Sequence, residues 1–349
     1  ILCTTGISIL NPRGGGISRH KNKLKIKSQK LKIFGHLITL ENLFVAWQEF
    51  KKGKTKRKDV LEFEFNREDN IFQLYQDLKN KTYKHSKYSS FYVQDPKLRH
   101  IHKADIKDRI VHHLISKYLN QIFDRIFIFD SYSCRLNKGT HKAVNRLKQF
   151  FLKQGENNRI NFYCLKCDIK KFFDSVDHDI LIEILKRKIK DRDILNLINE
   201  IIGSFQITKN KGIPLGNLTS QYFANIYLNE IDKFVKHKLK VKYYIRYTDD
   251  FVILNKDKEY LENLINTISN FLQSQLKLRL HPDKIIIRKY NQGIDFLGYV
   301  TLPYYRVLRT KTKKRMFRRI NNKNIQSYLG ILKHCNGHKL EKKLMNLFN

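Results

Sequence analysis

Residues 243–254 read YYIRYTDDFVIL. Two apolar runs, 243–247 and 251–254, flank a tight acidic turn, the pattern of two paired strands. Asp249 and Asp250 sit side by side at the tip of this hairpin, where Asn-Gly or Asp-Gly would turn the chain better. Adjacent carboxylates repel, and folding alone gives no reason to place them there. An ordinary polar turn is one reading. A divalent-cation site is the other, because Mg2+ takes carboxylate and phosphate oxygens and seldom an all-protein cage.

Such a site needs a further carboxylate from elsewhere in the chain. INFYCLKCDIKKFFDSVDH (160–178) is a β-rich run ending in acids and aromatics. Asp168 ends its apolar strand, where an acid without a partner is costly. If that strand neighbours the hairpin in one sheet, three carboxylates converge and can hold two metals about 3.5–4 Å apart, as in phosphoryl transfer. Between the two stretches the sequence predicts helices at about 178–189 and 192–204. KGIPLGNLTSQ (211–221), a Gly/Pro-broken loop, follows, and then a long amphipathic helix, QYFANIYLNEIDKFVKHKL. Beyond the hairpin come a helix at about 257–275, two strands around LKLRLHPDKIIIRKY, and GIDFLGYV.

The chain has 349 residues and a net charge of +37, so two or three compact units and a polyanionic partner are expected. Residues 1–40 hold eight Lys or Arg and no acid and read as a basic leader; the start at Ile1 suggests a fragment or a misplaced start, and nothing there resembles a signal peptide. Order is expected from near Glu41, with Phe44, Trp47 and Phe50 at helical spacing and a stop at Gly53. KKGKTKRK (51–58) carries six basic residues in eight and reads as a phosphate contact or a solvated loop. Asn66 is placed to cap a helix bearing Ile71, Leu74, Tyr75 and Leu78. SSFYVQD and LRHIHKAD predict a hairpin around Pro96, with helices at about 105–123 and 140–153. Residues 306–349 hold 13 Lys or Arg against one acid, Glu341, and read as a separate basic helical appendage. No apolar run approaches the ~20 residues of a membrane span. Five Cys make no disulfide framework, which points to a reducing cytosol.

These stretches resemble the motifs of reverse transcriptases, in family order over about 41–302. YTDD resembles the Y-x-D-D box, CDIKKFFDSVDH motif A, GIPLGNLTSQYFANIYLNEID motif B, HPDK motif D, FLGY the primer grip, and RHIHKADIKDRIVHH the fingers of prokaryotic members. The resemblance implies an α+β, right-hand polymerase fold: fingers at 41–160, an antiparallel-sheet palm with helices on one face at 161–302 (finger-side helices about 178–204), and a short basic helical thumb at 303–349. It implies RNA-directed DNA synthesis with two Mg2+ ions, or Mn2+ as substitute, from an RNA template, a DNA or RNA primer and dNTPs, in a prokaryotic cytoplasm and without a membrane.

Roles carry over by position. Asp168, Asp249 and Asp250 match the catalytic carboxylates and metal ligands, and Lys284 the lysine that protonates leaving pyrophosphate. Phe173 matches the ring that blocks a ribose 2′-OH; strand alternation favours only one of Phe172 and Phe173 pointing in. Arg99, Lys103 and Arg109 match triphosphate-binding residues, with surface charge as the plain alternative. Gly212, Pro214 and Gly216 allow close backbone approach, and Gln221 opens the helix facing the template. Phe296, Leu297, Gly298 and Tyr299 match the primer grip. Thr248 departs from the usual Ala or Met of the box.

Other signals read as structure. Cys164 and Cys167 are core residues rather than zinc ligands. His334, Cys335 and His338 lack a partner group. His112 and His113 belong to an ordinary helix, and Asp177 caps the helix that follows it. For subtype, Ser220-Gln221 and only 50 residues after FLGY resemble the enzymes of diversity-generating retroelements, which implies error-prone copying opposite adenine and a small basic helical-bundle partner. Retron-like, group II intron-derived and phage-defence enzymes stand behind that reading. A catalytically dead RNA-binding scaffold is the alternative of another class; the three intact acids argue against it.

Overall fold

A computed structural model describes residues 33–94 and 97–347. Most of the expected leader and Pro96 lie outside these residues. The chain divides into two compact units, one containing Lys171–Asn229 with the residues up to Phe127, the other Ile128–Lys170 with Glu230 onward.

The first unit is mainly helical. Its described residues open with a helix at Ile33–Leu37, ahead of the Glu41 at which the sequence predicts order to begin. The next helix, Leu40–Lys51, begins where the Thr39 hydroxyl accepts from the Asn42 amide at 3.1 Å. It buries Leu43, Ala46, Trp47 and Phe50, so the buried stripe passes beside Phe44. Asn66 stands at the start of the Arg67–Lys79 helix but makes no side-chain cap; Ile71, Leu74 and Leu78 are buried as their spacing predicts. Strands β1 (Ser89–Gln94) and β2 (Leu98–Lys103) pair antiparallel, and the Ile106–Phe123 helix follows. Phe172–Ser175 forms one helical turn after Lys171 at φ +44°, where strand alternation was expected. Phe172 is buried near Tyr227 while Phe173 is half-buried. Asp177 caps the His178–Lys186 helix, its Oδ1 accepting from the Ile180 amide at 3.2 Å. The Arg192–Gly203 helix and the first turns of Leu218–Lys233 complete the unit.

The second unit is built on an antiparallel sheet in the order β4-β5-β3-β6: β3 Tyr163–Asp168, β4 Tyr243–Tyr247, β5 Asp250–Asn255 and β6 Ile286–Lys289. The first of the two strands expected around HPDK is only an isolated bridge, Ile169 to Leu280. Phe150 and Phe151 of the Thr140–Gln154 helix pack on the sheet face bearing Cys164, Tyr243, Ile245, Val252 and Leu254. Ile294 and Phe296 share that cluster. Leu165, Cys167, Phe251 and Ile253 fill the opposite face, and the Lys258–Leu276 helix packs against β3, β5 and β6. Cys164 and Cys167 are free thiols in this core.

A second, three-stranded sheet joins β7 (Ile294–Phe296), β8 (Tyr299–Thr301) and β9 (Arg306–Leu308). The start of the expected helical appendage is therefore a strand. The helices Thr310–Arg319, Ile325–Leu332 and His338–Met345 follow it. Their buried Met316, Leu329, Leu332 and Leu344 cluster with Leu308, Tyr299 and Val144, so the appendage is not separate from the unit's core.

Candidate active site

The ladder between β3 and β5 puts Asp168 directly opposite Asp250. Residues opposite one another in an antiparallel pair share a face, so the two carboxylates leave the sheet together. Thr248 and Asp249 form the turn between β4 and β5. The Asp249 carbonyl accepts from the Ile169 amide at 3.1 Å, which ties the turn to the residue after Asp168. The sheet thus brings the three predicted acids to one end of three neighbouring strands.

Two lysines meet them. Lys284 Nζ donates to Asp168 Oδ1 at 2.7 Å, and the His281 amide donates to the Asp168 carbonyl at 2.8 Å, so the HPDK stretch is anchored beside the acid. Lys166, two residues before Asp168 on the same face, lies 3.3 Å from Asp250 Oδ2 and donates to the Asp295 carbonyl at 2.7 Å. Sequence reasoning missed Lys166; a lone lysine in an apolar strand was the available signal. Burial pushes the Asp250 carboxyl up to about 7, the negative charges of Asp168 and Asp249 adding to this and Lys166 opposing it. Burial, with Asp250 and Asp168 beside it, also pushes the Cys167 thiol up to about 12.

The donor set suits a hard cation. Asp250 Oδ1 is buried and has no hydrogen-bond partner. Among the described residues no three His, Cys, Asp or Glu side chains form a ready-made cage. Mg2+ does not require one, since one or two carboxylates plus substrate phosphates normally suffice.

The turn itself is held by a buried pair that sequence reasoning also missed. Arg246, in the middle of an apolar hairpin, is fully buried with Asp232. Its only sequence signal was a charge where strand alternation asks for none.

The predicted primer-grip residues form the β7–β8 turn. Leu297 and Gly298 both take positive φ (+53° and +88°), the requirement of a type I′ hairpin turn. Phe296 and Tyr299 are buried core residues, and the Tyr299 hydroxyl donates to the Ile331 carbonyl at 3.0 Å. What the turn offers to a ligand is backbone and the partly exposed Leu297.

In the first unit, Lys103 and Arg109 converge on Asp59, at 2.7 and 3.8 Å. Asp59 was not singled out from the sequence; it is the first acid after the basic run 51–58. Burial opposes its ionisation, but Lys103 and Arg109 bring its carboxyl below the ordinary value. Burial lowers Arg109. Arg99 lies on β2 with Lys103 on the same face. Gly216, at φ +115°, packs so closely that a Cβ would stand 2.7 Å from Ile101 Cγ2, so only glycine fits. The neighbouring Asn217 amide donates to the His102 carbonyl at 2.8 Å. Gln221 lies in the first turn of the Leu218–Lys233 helix. Within the basic run, Lys51 pairs with Glu64 at 2.9 Å and Lys54 lies over the Phe50 ring; these two are engaged locally.

Comparison with known proteins bears on this geometry. A family model described as reverse transcriptase (RNA-dependent DNA polymerase) matches residues 84–301. The group II intron-encoded protein LtrA of Lactococcus lactis subsp. cremoris is 25% identical over an alignment of 358 residues, covering 81% of this chain and 58% of that protein. Protein YkfC of Escherichia coli is 27% identical over 241 residues, covering 58% of this chain and 63% of its own. A structure of apo telomerase from Candida tropicalis aligns with a TM-score of 0.48 and 13% identity, over 67% of this chain and 57% of that one. The chain spans less than two thirds of the length of each of these proteins. No helix among the described residues is long and apolar enough to cross a membrane.

Proposed function

The chain belongs to the reverse transcriptase (RNA-dependent DNA polymerase) family, and its mix of helices and antiparallel sheet is that of a right-hand polymerase; from this we propose that it copies an RNA template into DNA with divalent metal ions. The observation that carries the reading is the register of Asp168 against Asp250 with Asp249 in the adjoining turn. Asp168, Asp249 and Asp250 would hold two Mg2+ ions, or Mn2+ in their place, which supply activation of the attacking hydroxyl and charge stabilisation at the leaving pyrophosphate. Lys284, whose Nζ donates to Asp168, would be the donor to departing pyrophosphate. Arg99, Lys103 and Arg109 bind the triphosphate of an incoming dNTP, Arg by planar bidentate contacts. Phe173 supplies the flat wall under C2′. Gly216 and Gln221 face the nascent pair and template, and the turn Phe296–Tyr299 steadies the primer strand. A dead scaffold has no use for three metal-ready acids. Primer extension on an RNA template with dNTPs, compared with a DNA template and with EDTA, tests the reading; no RNA-dependent, metal-dependent product would reject it.

The host element is a mobile retroelement of bacterial type. The intron-encoded relative covering 81% of the chain favours a group II intron-derived enzyme. Ser220-Gln221 favours the diversity-generating kind, with a small basic helical-bundle partner. Sequencing cDNA from a template containing all four bases separates them: errors concentrated at adenine support the second, and uniform low error the first.

A further inference from the structure

We propose that Asp232 and Arg246 are positioning residues that hold the acidic turn in its cation-binding shape, an inference that rests on the polymerase reading above. Thr248 adopts φ +53°. A β-branched residue takes that left-handed conformation only where its surroundings impose it. Both of its ends are held. The Thr248 hydroxyl donates to Ser133 Oγ at 2.7 Å, and the Thr248 carbonyl accepts from Arg246 Nη1 at 2.9 Å. The second contact matters most, because the Thr248 carbonyl and the Asp249 amide share one planar peptide. Fixing that oxygen fixes how the chain enters Asp249, and Asp250 follows as the first residue of β5, opposite Asp168.

Arg246 is in turn held from the other side. Its Nε and Nη2 donate to the two oxygens of Asp232, at 2.7 and 2.6 Å, and Nη2 also reaches Ser131 Oγ at 3.1 Å. The Tyr244 hydroxyl donates to Asp232 Oδ1 at 2.7 Å. Both charged side chains are 0% exposed. As a stability device such a pair is poor, because desolvation offsets the attraction and apolar residues of similar size do as well. What apolar residues cannot do is present a rigid fork with a donor left over for the Thr248 carbonyl. Lysine cannot either, since one ammonium does not span both Asp232 oxygens and that carbonyl.

The test is Arg246→Lys, read by Mn2+ binding to the free protein (loss of the free-ion EPR signal), by the Mg2+ concentration giving half-maximal primer extension, and by template–primer affinity. Residues supporting metal ligands typically change metal affinity by 10–100-fold. Both metal readouts should therefore weaken by about tenfold in R246K while template–primer affinity holds. Thr248→Asn in the R246K background should recover part of the loss, because asparagine tolerates the left-handed conformation. A merely structural pair would lower the folded fraction, leave the metal midpoint where it is and gain nothing from T248N. Wild-type Mn2+ affinity in R246K, or a loss that T248N does not relieve, overturns the proposal. Should R246K not fold, Tyr244→Phe removes one bond to Asp232 and keeps the ion pair; a shift of about twofold or more in the Mn2+ midpoint is expected, and none overturns it. Asp249→Asn separates the two failures: if it leaves Mn2+ binding intact, the site reading itself is wrong.

Discussion

Asp168 and Asp250 face each other across the β3–β5 ladder, and each is met by a lysine, Lys284 at 2.7 Å and Lys166 at 3.3 Å. The two ammoniums offset much of the repulsion that would otherwise drive the acids apart. The 69 Lys and Arg that would attract RNA in the proposed function are spread along the chain, and their charge does not depend on these acids. Asp168→Asn and Asp249→Asn should therefore each cut primer extension by about 10²- to 10³-fold, the scale of losing one charge-stabilising group in an active site, with RNA affinity within about twofold of wild type. Near-normal synthesis by either variant would remove that residue from the site.

Phe172 and Phe173 differ in burial. Phe172 is 2% exposed and lies 6.4 Å from the Tyr227 ring centroid, whereas Phe173 is half-buried. Phe173→Val should raise ribonucleotide insertion relative to dNTP insertion by at least about tenfold, since a hydroxyl added to an apolar pocket is otherwise discriminated by only about 10²-fold. Phe172→Val should instead lower stability by about 1–3 kcal/mol through the cavity it leaves, without changing sugar choice. An unchanged ratio in the Phe173 variant would move the gate elsewhere.

Much of this was legible because local pattern decided it. The YYIRYTDDFVIL hairpin, the strand ending at Asp168 and the Asp177 cap all follow from periodicity and capping chemistry within a dozen residues. What escaped reading depends on contacts distant in sequence. Arg246 and Asp232 are 14 residues apart and look like two surface charges until the hairpin folds onto the helix. Lys166 meets Asp250 only through strand register. Arg306–Leu308 became a strand because β8 offers it an edge, a fact invisible in a run dominated by basic residues. The one-turn helix at Phe172 arises from Lys171 at φ +44°, which no side-chain pattern announces.

The same buried cluster constrains how the role of the C-terminal charge can be tested. Deleting 306–349 would strip β9 and Met316, Leu329, Leu332 and Leu344 from Tyr299 and Val144, so lost function would report a damaged core. Lys311, Lys313, Lys314 and Arg318 are exposed on the Thr310–Arg319 helix. Changing these four to Gln should flatten the log–log salt dependence of template–primer binding by about 0.9 for each duplex phosphate that the helix no longer neutralises, with a comparable effect on an RNA–DNA hybrid. Product length should shorten in parallel. An unchanged slope would mean that this helix does not touch the duplex.

Acid should unfold the first unit through two histidines on one helix. His112 is 1% exposed, with Nε2 3.1 Å from that of His85, and His113 sits half-buried with its ring edge-on to Phe50. Burial holds both below the ordinary histidine range, helped by the nearby His85 and Arg109 for the first and Lys54 for the second, and His113 is pushed down to about 4. A lowered histidine value means that the folded state prefers the neutral ring. Its contribution to stability is then complete above the unfolded value near 6.5 and is lost as pH falls from there towards 4. Carboxylates held below their ordinary range, such as Asp59 and Glu64, release their stabilisation at lower pH, but Asp250, pushed up to about 7, and His102 and His141, held down mainly by burial, also exchange protons between about 6.5 and 4.5, so the part played by one ring is read as the difference between wild type and a variant. Over that interval each ring contributes a slope of at most about 1.4 kcal/mol per pH unit. His113→Phe, which keeps an aromatic edge against Phe50, should reduce the measured slope by up to that amount, read by urea unfolding at a series of pH values. Identical slopes for the two proteins would mean that His113 is protonated as easily in the folded chain as in the unfolded one.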